Sequence, residues 1–183
     1  MTQVIAFMAE GMEEVECLAV VDILRRAQIE VILVSMTDKL EVTGSHNITV
    51  KADIMFDDVD FSKAEVLFLP GGMPGTKNLM EHKGLQELLM KFNKENKRIA
   101  AICAAPSVLG GLGILEDKEA TCHPSVEDKL GGAIYTKKGV ITDGTISTGR
   151  GLGYALDLGL ELVKLLVSPE KAEEIKSAIQ YDK

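Results

Sequence analysis

Two hydrophobic rhythms alternate along this chain. Short, nearly continuous apolar runs recur at Gln3–Ala9 (QVIAFMA), Glu30–Met36 (EVILVSM), Glu65–Leu69 (EVLFL) and Arg98–Ile102 (RIAAI). Runs of this length predict strands buried on both faces. Between them, apolar residues repeat at helical spacing. Cys17, Val20, Leu24 and Ala27 share one side of a segment that ends near Arg26, and Leu85, Leu88, Leu89 and Phe92 mark a helix from about Gly84 to Glu95. The first helix opens on EGMEEVE, where acidic residues crowd the end that the helix dipole makes positive. Strand, helix, strand in so short a span is a βαβ unit, so its two strands are predicted to be parallel.

The remaining segments are more broken. LEVTGSHNITVK (residues 40–51) alternates around a Gly-Ser-His-Asn turn and predicts a hairpin-like excursion, placed at one edge of the sheet. Glu119–Cys122 is a short strand ending at His123-Pro124, and residues 132–148 hold three strand-like pieces with turns at Lys138-Gly139 and Asp143-Gly144. Gly149-Arg150-Gly151-Leu152-Gly153 opens a helix from Tyr154 to Leu166. Its polar stripe is only Tyr154, Asp157, Glu161 and Lys164, which predicts cover on several sides. Ser168 and Pro169 are suited to the N-cap and first position of a last helix. Alternating strands and helices predict one α/β domain over residues 1–183, a doubly wound, mostly parallel sheet with helices on both faces.

Charge and cysteine usage narrow the class. The formal net charge of −8 argues against nucleic acid and anionic membrane surfaces as partners. No apolar run approaches a bilayer span, and the N-terminus lacks a basic region followed by a long apolar one. A soluble, cytoplasmic protein is therefore expected. Cys17, Cys103 and Cys122 form neither a disulfide framework nor a zinc pattern, and His46, His82 and His123 are scattered, so no metal and no cofactor is expected.

In a doubly wound sheet, ligands bind beyond the carboxyl ends of the strands, where strand order reverses. Three features follow strands at that edge: the acidic turn Glu13–Glu16, the Gly71-Gly72 loop and Cys103. Cys103 joins a strand to AAPSVLGGL, a strand-to-helix corner with the form of a nucleophile elbow. Unpaired helix N–H groups and the dipole favour a thiolate there; the alternative is a small buried hydrophobe. Gly71 and Gly72 are either a plain turn or a place where backbone N–H groups approach a ligand oxygen. The amides of Gly72 and Ala104 would then make an oxyanion hole. The loop lacks the Gly-Lys-Ser/Thr ending of a nucleotide P-loop. Glu13, Glu14 and Glu16 are either solvated helix-start charges or include one inward carboxyl, protonated by burial, that serves the sulfur and moves protons. Spacing does not choose among them. His123 is either a structural histidine or a proton shuttle. Cys17 and Cys122 read as non-catalytic thiols, Cys122 being the more oxidisable if exposed.

Taken together, EGMEEVE, VLFLPGGMPG, IAAICAAPSVL, TCHPSVEDK and STGRGLG resemble, in order and over essentially the whole chain, the ThiJ/PfpI superfamily and in particular its DJ-one-like branch. The resemblance implies a flavodoxin-like, class I glutamine amidotransferase-like fold and a homodimer. It assigns Cys103 as an oxidation-prone nucleophile, Glu16 as the protonated glutamate contacting it, His123 as the histidine near the sulfur, and Gly72 and Ala104 as oxyanion amides. The implied activity is a cofactor-independent glyoxalase or deglycase acting on small aldehydes such as methylglyoxal or on glycated adducts. The alternative is a redox-sensing, protective protein whose cysteine becomes a sulfinate. Three departures matter. Ala104 stands where protease-like relatives carry a histidine, which argues against a peptidase. His46 stands where relatives often carry arginine, and Gly151-Leu152-Gly153 where they often carry Gly-Pro-Gly. The absence of histidine from Gly149 to Lys183 argues against an amidotransferase.

Overall fold

In the computed structural model of the chain, which describes residues 3–182, the four apolar runs become neighbouring strands. In chain order the elements are β1 (Gln3–Met8), α1 (Glu14–Arg26), β2 (Glu30–Ser35), β3 (Glu41–Thr43), β4 (Thr49–Lys51), β5 (Ile54–Met55), β6 (Ala64–Leu69), α2 (Gly75–Glu81), α3 (Lys83–Lys94), β7 (Arg98–Ile102), α4 (Pro106–Gly111), β8 (Glu119–Ala120), β9 (Ile134–Tyr135), β10 (Val140–Asp143), β11 (Ile146–Gly149), α5 (Ala155–Leu166) and α6 (Pro169–Ala178).

The main sheet runs β10-β11-β7-β6-β1-β2-β5. All its pairings are parallel except β10 with β11, and registers such as Val4↔Val31 and Leu67↔Ile99 place the buried runs side by side. After β1 the chain builds outward through β2, then crosses back to place β6 on the other side of β1. The order reverses there, so the carboxyl ends of β1 and β6 flank the crevice where such sheets bind ligands.

Successive strand residues feed opposite layers. Val4, Ala6, Phe68 and Ile102 pack toward α1 and α5, while Ile5, Phe7, Leu67 and Ile99 pack toward α3 and α4. The predicted apolar character of α5 is met within the chain: it lies on the sheet side between α1 and α6. Gly159 permits that closeness, because a Cβ there would lie 2.8 Å from Ile23 Cβ. The breadth of its apolar face therefore needs no second subunit. Ser168 caps α6 as predicted, its Oγ accepting from Lys171 N at 3.1 Å.

Several boundaries differ from expectation, each for a local reason. Residues 40–51 do form a hairpin, but β3 and β4 make a separate two-stranded sheet rather than an edge of the main one. The edge is β5, two residues long and without a readable pattern. A helix that no sequence pattern marks, α2, follows the glycine loop after β6, beginning at Gly75. The predicted strand Glu119–Cys122 is only β8, paired with β9 in a third small sheet. No described helix is long and apolar enough to cross a membrane.

Candidate active site

Cys103 directly follows β7 with φ of +63°, a left-handed conformation that residues other than glycine rarely adopt. The corner is pinned on both sides. Cys103 N donates to Gly149 O of the neighbouring β11 at 2.9 Å, and Cys103 O accepts from His123 N at 2.7 Å. The thiol is thus turned away from the sheet and left half-buried.

Glu13 caps α1, its Oε2 accepting from Glu16 N at 2.6 Å, and its own N–H donates to Gly71 O at 2.8 Å. This lashes the helix start to the loop after β6 and aims Glu16, 1% exposed, inward. Glu16 Oε2 accepts from Gly71 N at 3.1 Å, and its carboxyl faces the Leu152 amide and the Cys103 sulfur closely enough for both to act on its ionisation. The amides of Ala104 and Gly72 face the sulfur. Gly71 is required by space: a Cβ there would lie 2.6 Å from both Cys103 Cβ and Glu16 Oε2. Gly72 needs its φ of +90°, and a Cβ there would collide with Glu13 N.

The electrostatics follow from burial. Desolvation pushes the Glu16 carboxyl up to about 7, with the Glu13 charge adding to the rise and the hydrogen bonds from Cys103, Gly71 and Leu152 opposing it. Desolvation also pushes the Cys103 thiol up to about 12, the Glu16 charge adding and the Ala104 and Gly72 amides opposing. The pair is a coupled titration: the space accepts one negative charge near neutral pH and resists a second. This corrects the expectation of a thiolate set up by a helix end. The helix does not follow directly on the cysteine. α4 starts at Pro106, which has no N–H to offer, and the Ser107 and Val108 amides are already bonded to the Ala104 and Ala105 carbonyls.

Cys103, Glu16, Gly71, Gly72 and Ala104 are therefore brought together. His123 sits at the rim. Its ring is exposed, and Nδ1 accepts from Ser125 N at 3.2 Å and lies 2.8 Å from Ser125 Oγ, which leaves Nε2 as the free ring nitrogen. A methyl on Gly151 would sit 3.9 Å from His123 Cδ2 and 4.0 Å from Cys103 Sγ, so Gly151 lines the space between them. Gly151 and Leu152 went unassigned in the sequence. The signal was available in principle, since β11 beside β7 carries the glycine-rich run 149–153 to the same edge. Cys17 and Cys122 are fully buried, and burial pushes their thiols up to about 12 and about 11. The oxidation expected of an exposed Cys122 thus lacks its condition.

Glu14 has a different task. Also buried, its Oε1 accepts from His46 N at 2.8 Å and Ile48 N at 3.3 Å, and its Oε2 lies 3.2 Å from His46 Nδ1. It holds the tip of the β3–β4 hairpin against the start of α1. The fold also gathers what the sequence scattered: His46 Nδ1 lies 3.6 Å from Glu13 Oε1, so one nitrogen and two carboxylates converge with ligand-like spacing.

A parallel sheet with flavodoxin-like strand order, carrying a strained cysteine against a buried glutamate at its switch point, defines an α/β protein with an elbow cysteine. The chain belongs to the DJ-1/PfpI family, which it matches over residues 2–165. It is 35% identical over 177 residues to protein DJ-1 homolog A of Arabidopsis thaliana, covering 96% of this chain but 45% of that one, so it spans less than half the length of that relative. It is 32% identical over 168 residues to the glutathione-independent glyoxalase DJR-1.2 of Caenorhabditis elegans, covering 91% and 89% of the two chains. The structure of oxidized Toxoplasma gondii DJ-1 superposes with a TM-score of 0.95 at 30% identity, over 100% of both chains.

Proposed function

We propose that this protein is a cofactor-independent glyoxalase that converts small α-oxoaldehydes such as methylglyoxal to 2-hydroxy acids, with Cys103 as nucleophile. The observation that carries the proposal is the closeness of Cys103 and the buried Glu16 carboxyl at the switch point, where a Cβ on Gly71 would meet both at 2.6 Å and Gly71 N holds Glu16 Oε2 at 3.1 Å. Kinship with a relative named as a glutathione-independent glyoxalase supports the substrate class.

The chemistry uses the single charge that the pair accepts. Ionised Glu16 takes the thiol proton as sulfur attacks the aldehyde carbon, so nucleophile and base act together despite the high thiol value. The amides of Gly72 and Ala104 hold the oxygen that becomes an oxyanion, and protonation gives a hemithioacetal. Glu16 then removes the hydrogen of the former aldehyde carbon and returns a proton to the adjacent carbonyl carbon. The first carbon is oxidised, the second is reduced, and a thioester of the 2-hydroxy acid results. Water cleaves the thioester, releasing the acid and restoring the thiol, with His123 assisting proton transfer at the rim. Consumption of the free aldehyde, which hemithioacetals and early amine adducts release reversibly with their thiol or amine, would draw those adducts apart and so amount to deglycation.

A second role is favoured by the amides around the sulfur and by a carboxyl beside it that holds a proton up to about 7. Both would stabilise a Cys103 sulfinate formed by peroxide, making the protein a redox sensor. A homodimer is supported by exposed Val15, Leu18, Ile48 and Leu152 near the site, and a cytoplasmic location by three free cysteines.

The test is lactate formation from methylglyoxal by the wild-type protein, Cys103→Ala and Glu16→Gln. Turnover that both substitutions abolish is expected; equal rates in all three proteins would refute the assignment. Intact mass after mild peroxide tests the second role, which fails if no oxygen is added to Cys103. Sedimentation equilibrium tests the dimer.

A further inference from the structure

The sheet edge opposite Cys103, where the parallel strands begin, carries polar groups that the proposed reaction does not use. A cleft of about 440 Å³ opens there, lined by Lys63 and Glu65 around the start of β6, Lys97 and Arg98 at the start of β7, and Leu166 at the end of α5. Three cations face one acid in this lining, on a chain whose formal net charge is −8.

Two of the cations are committed. Lys97 Nζ donates to Ala64 O at 3.0 Å, stands 4.9 Å from the centroid of the Phe92 ring and lies 3.9 Å from Glu95 Oε2, so its position is fixed while part of its charge faces the cleft. Lys63 Nζ lies 3.7 Å from Asp60 Oδ2. Arg98 is different. Among the described residues no carboxylate pairs with it, and its Nη1 is buried without a hydrogen-bond partner. A guanidinium is always charged and presents its donors in a rigid fork, so a desolvated nitrogen lacking an acceptor is an unmet demand. Turning that fork into the cleft toward an oxyanion would satisfy it.

We propose that this cleft binds a phosphoryl oxyanion, either free phosphate or the phosphate of a small monoester. Arg98 grips it through its fork, and Lys97 and Lys63 supply further charge-assisted donors. Fork geometry favours a phosphoryl group over a carboxylate. Asp60 and Glu95 already pair with the two lysines, which leaves Arg98 as the cation of the lining without a carboxylate, and a phosphoryl group offers two terminal oxygens to its fork while keeping a third for a lysine.

Titration of the full chain with inorganic phosphate, at ionic strength held constant with sodium chloride, tests this by calorimetry and by amide ¹H–¹⁵N shifts. Saturable binding is expected, with shifts confined to residues 62–65 and 96–98. Arg98→Gln and Lys97→Gln should each weaken it by about tenfold, the loss of one charge-assisted contact. If Arg98→Gln does not fold, Lys97→Gln carries the comparison. Methyl phosphate in a parallel arm tells a monoester site from one that takes only the free ion. Absence of saturation at millimolar phosphate, equal binding of acetate, unchanged affinity in the variants, or shifts centred on Gly72 and Cys103 would each overturn the proposal.

Discussion

Replacing Glu16 with glutamine should stabilise the protein, and by an amount that depends on pH. Glu16 is 1% exposed, and burial lifts its carboxyl from 4.5 to about 7. A shift of that size corresponds to about 3 kcal/mol of disfavoured ionisation. The folded state holds this proton more tightly than the unfolded chain does. Between pH 4.5 and about 7, therefore, the unfolded chain has released it while the folded one retains it, and wild-type stability falls as pH rises through that window. Glutamine has no such proton. The advantage of Glu16→Gln over wild type should be absent below about pH 4.5, grow through the window and level off at about 3 kcal/mol above pH 7. A constant offset of about 1 kcal/mol the other way is expected, because an amide oxygen cannot serve the Gly71 and Leu152 amides as a carboxylate does. Urea unfolding of both proteins at several pH values between about 4 and 8 measures the effect; with m of about 2 kcal/mol/M the net difference of about 2 kcal/mol should separate the midpoints by about 1 M at the alkaline end. Curves that stay parallel across the range would refute the claim that burial holds the Glu16 proton.

Three further outcomes follow from the same geometry. The alkylation rate of Cys103 by iodoacetamide should climb through pH 7, as the pair loses its first proton, and rise again toward 12; an inflection well below 7 would mean that the amides alone hold a thiolate. Gly71→Ala should cost about 1–3 kcal/mol in urea unfolding and abolish methylglyoxal turnover, because the new methyl would lie 2.6 Å from both Cys103 Cβ and Glu16 Oε2. Glu14→Ala should cost about 2 kcal/mol and speed hydrogen exchange at the His46 and Ile48 amides, which lose their acceptor, while exchange in β6 and β7 stays slow.

What the sequence made legible depended on whether one element or several determine a residue's place. The runs at Gln3, Glu30, Glu65 and Arg98 announce their strands because a strand covered on both faces must be apolar at nearly every position. Once those strands are parallel, their carboxyl ends share an edge, and Cys103, Gly71 and Gly72 fall together without further information. β5 has only two residues and no pattern, and α2 starts inside a glycine-proline run where its buried residues, Thr76 and Leu79, are too few to mark a face. The acidic turn shows the limit most clearly. Glu14 and Glu16 are both nearly inaccessible, at 2% and 1% exposure, yet one anchors a hairpin and the other faces the sulfur. Only the packing of β3–β4 on one side and of the β6 loop on the other separates them. Gly151 and Leu152 read in the sequence only as a helix opening, because they reach the site through the β11–β7 pairing, not through their own run of sequence.

The site's electrostatics also explain why an acid is needed at all. Had a long helix begun at Cys103, its free amides could have stabilised a thiolate alone, and a neighbouring carboxylate would have been an obstacle. Instead the corner is followed by a turn and by Pro106, leaving only the Ala104 and Gly72 amides to face the sulfur. Two amides offset only part of the burial of a sulfur anion, and burial raises the thiol. In the proposed reaction its reactivity comes from a base that is unprotonated at neutral pH and placed to take the proton during attack. A glutamate of ordinary value would be too weak a base, and a fully exposed one would be held apart by water. Burial supplies the match, lifting Glu16 to about 7 while the Gly71 amide fixes its orientation. The same burial makes the folded protein less stable above neutral pH, so the reactivity of Cys103 and the stability removed by Glu16 have one physical origin.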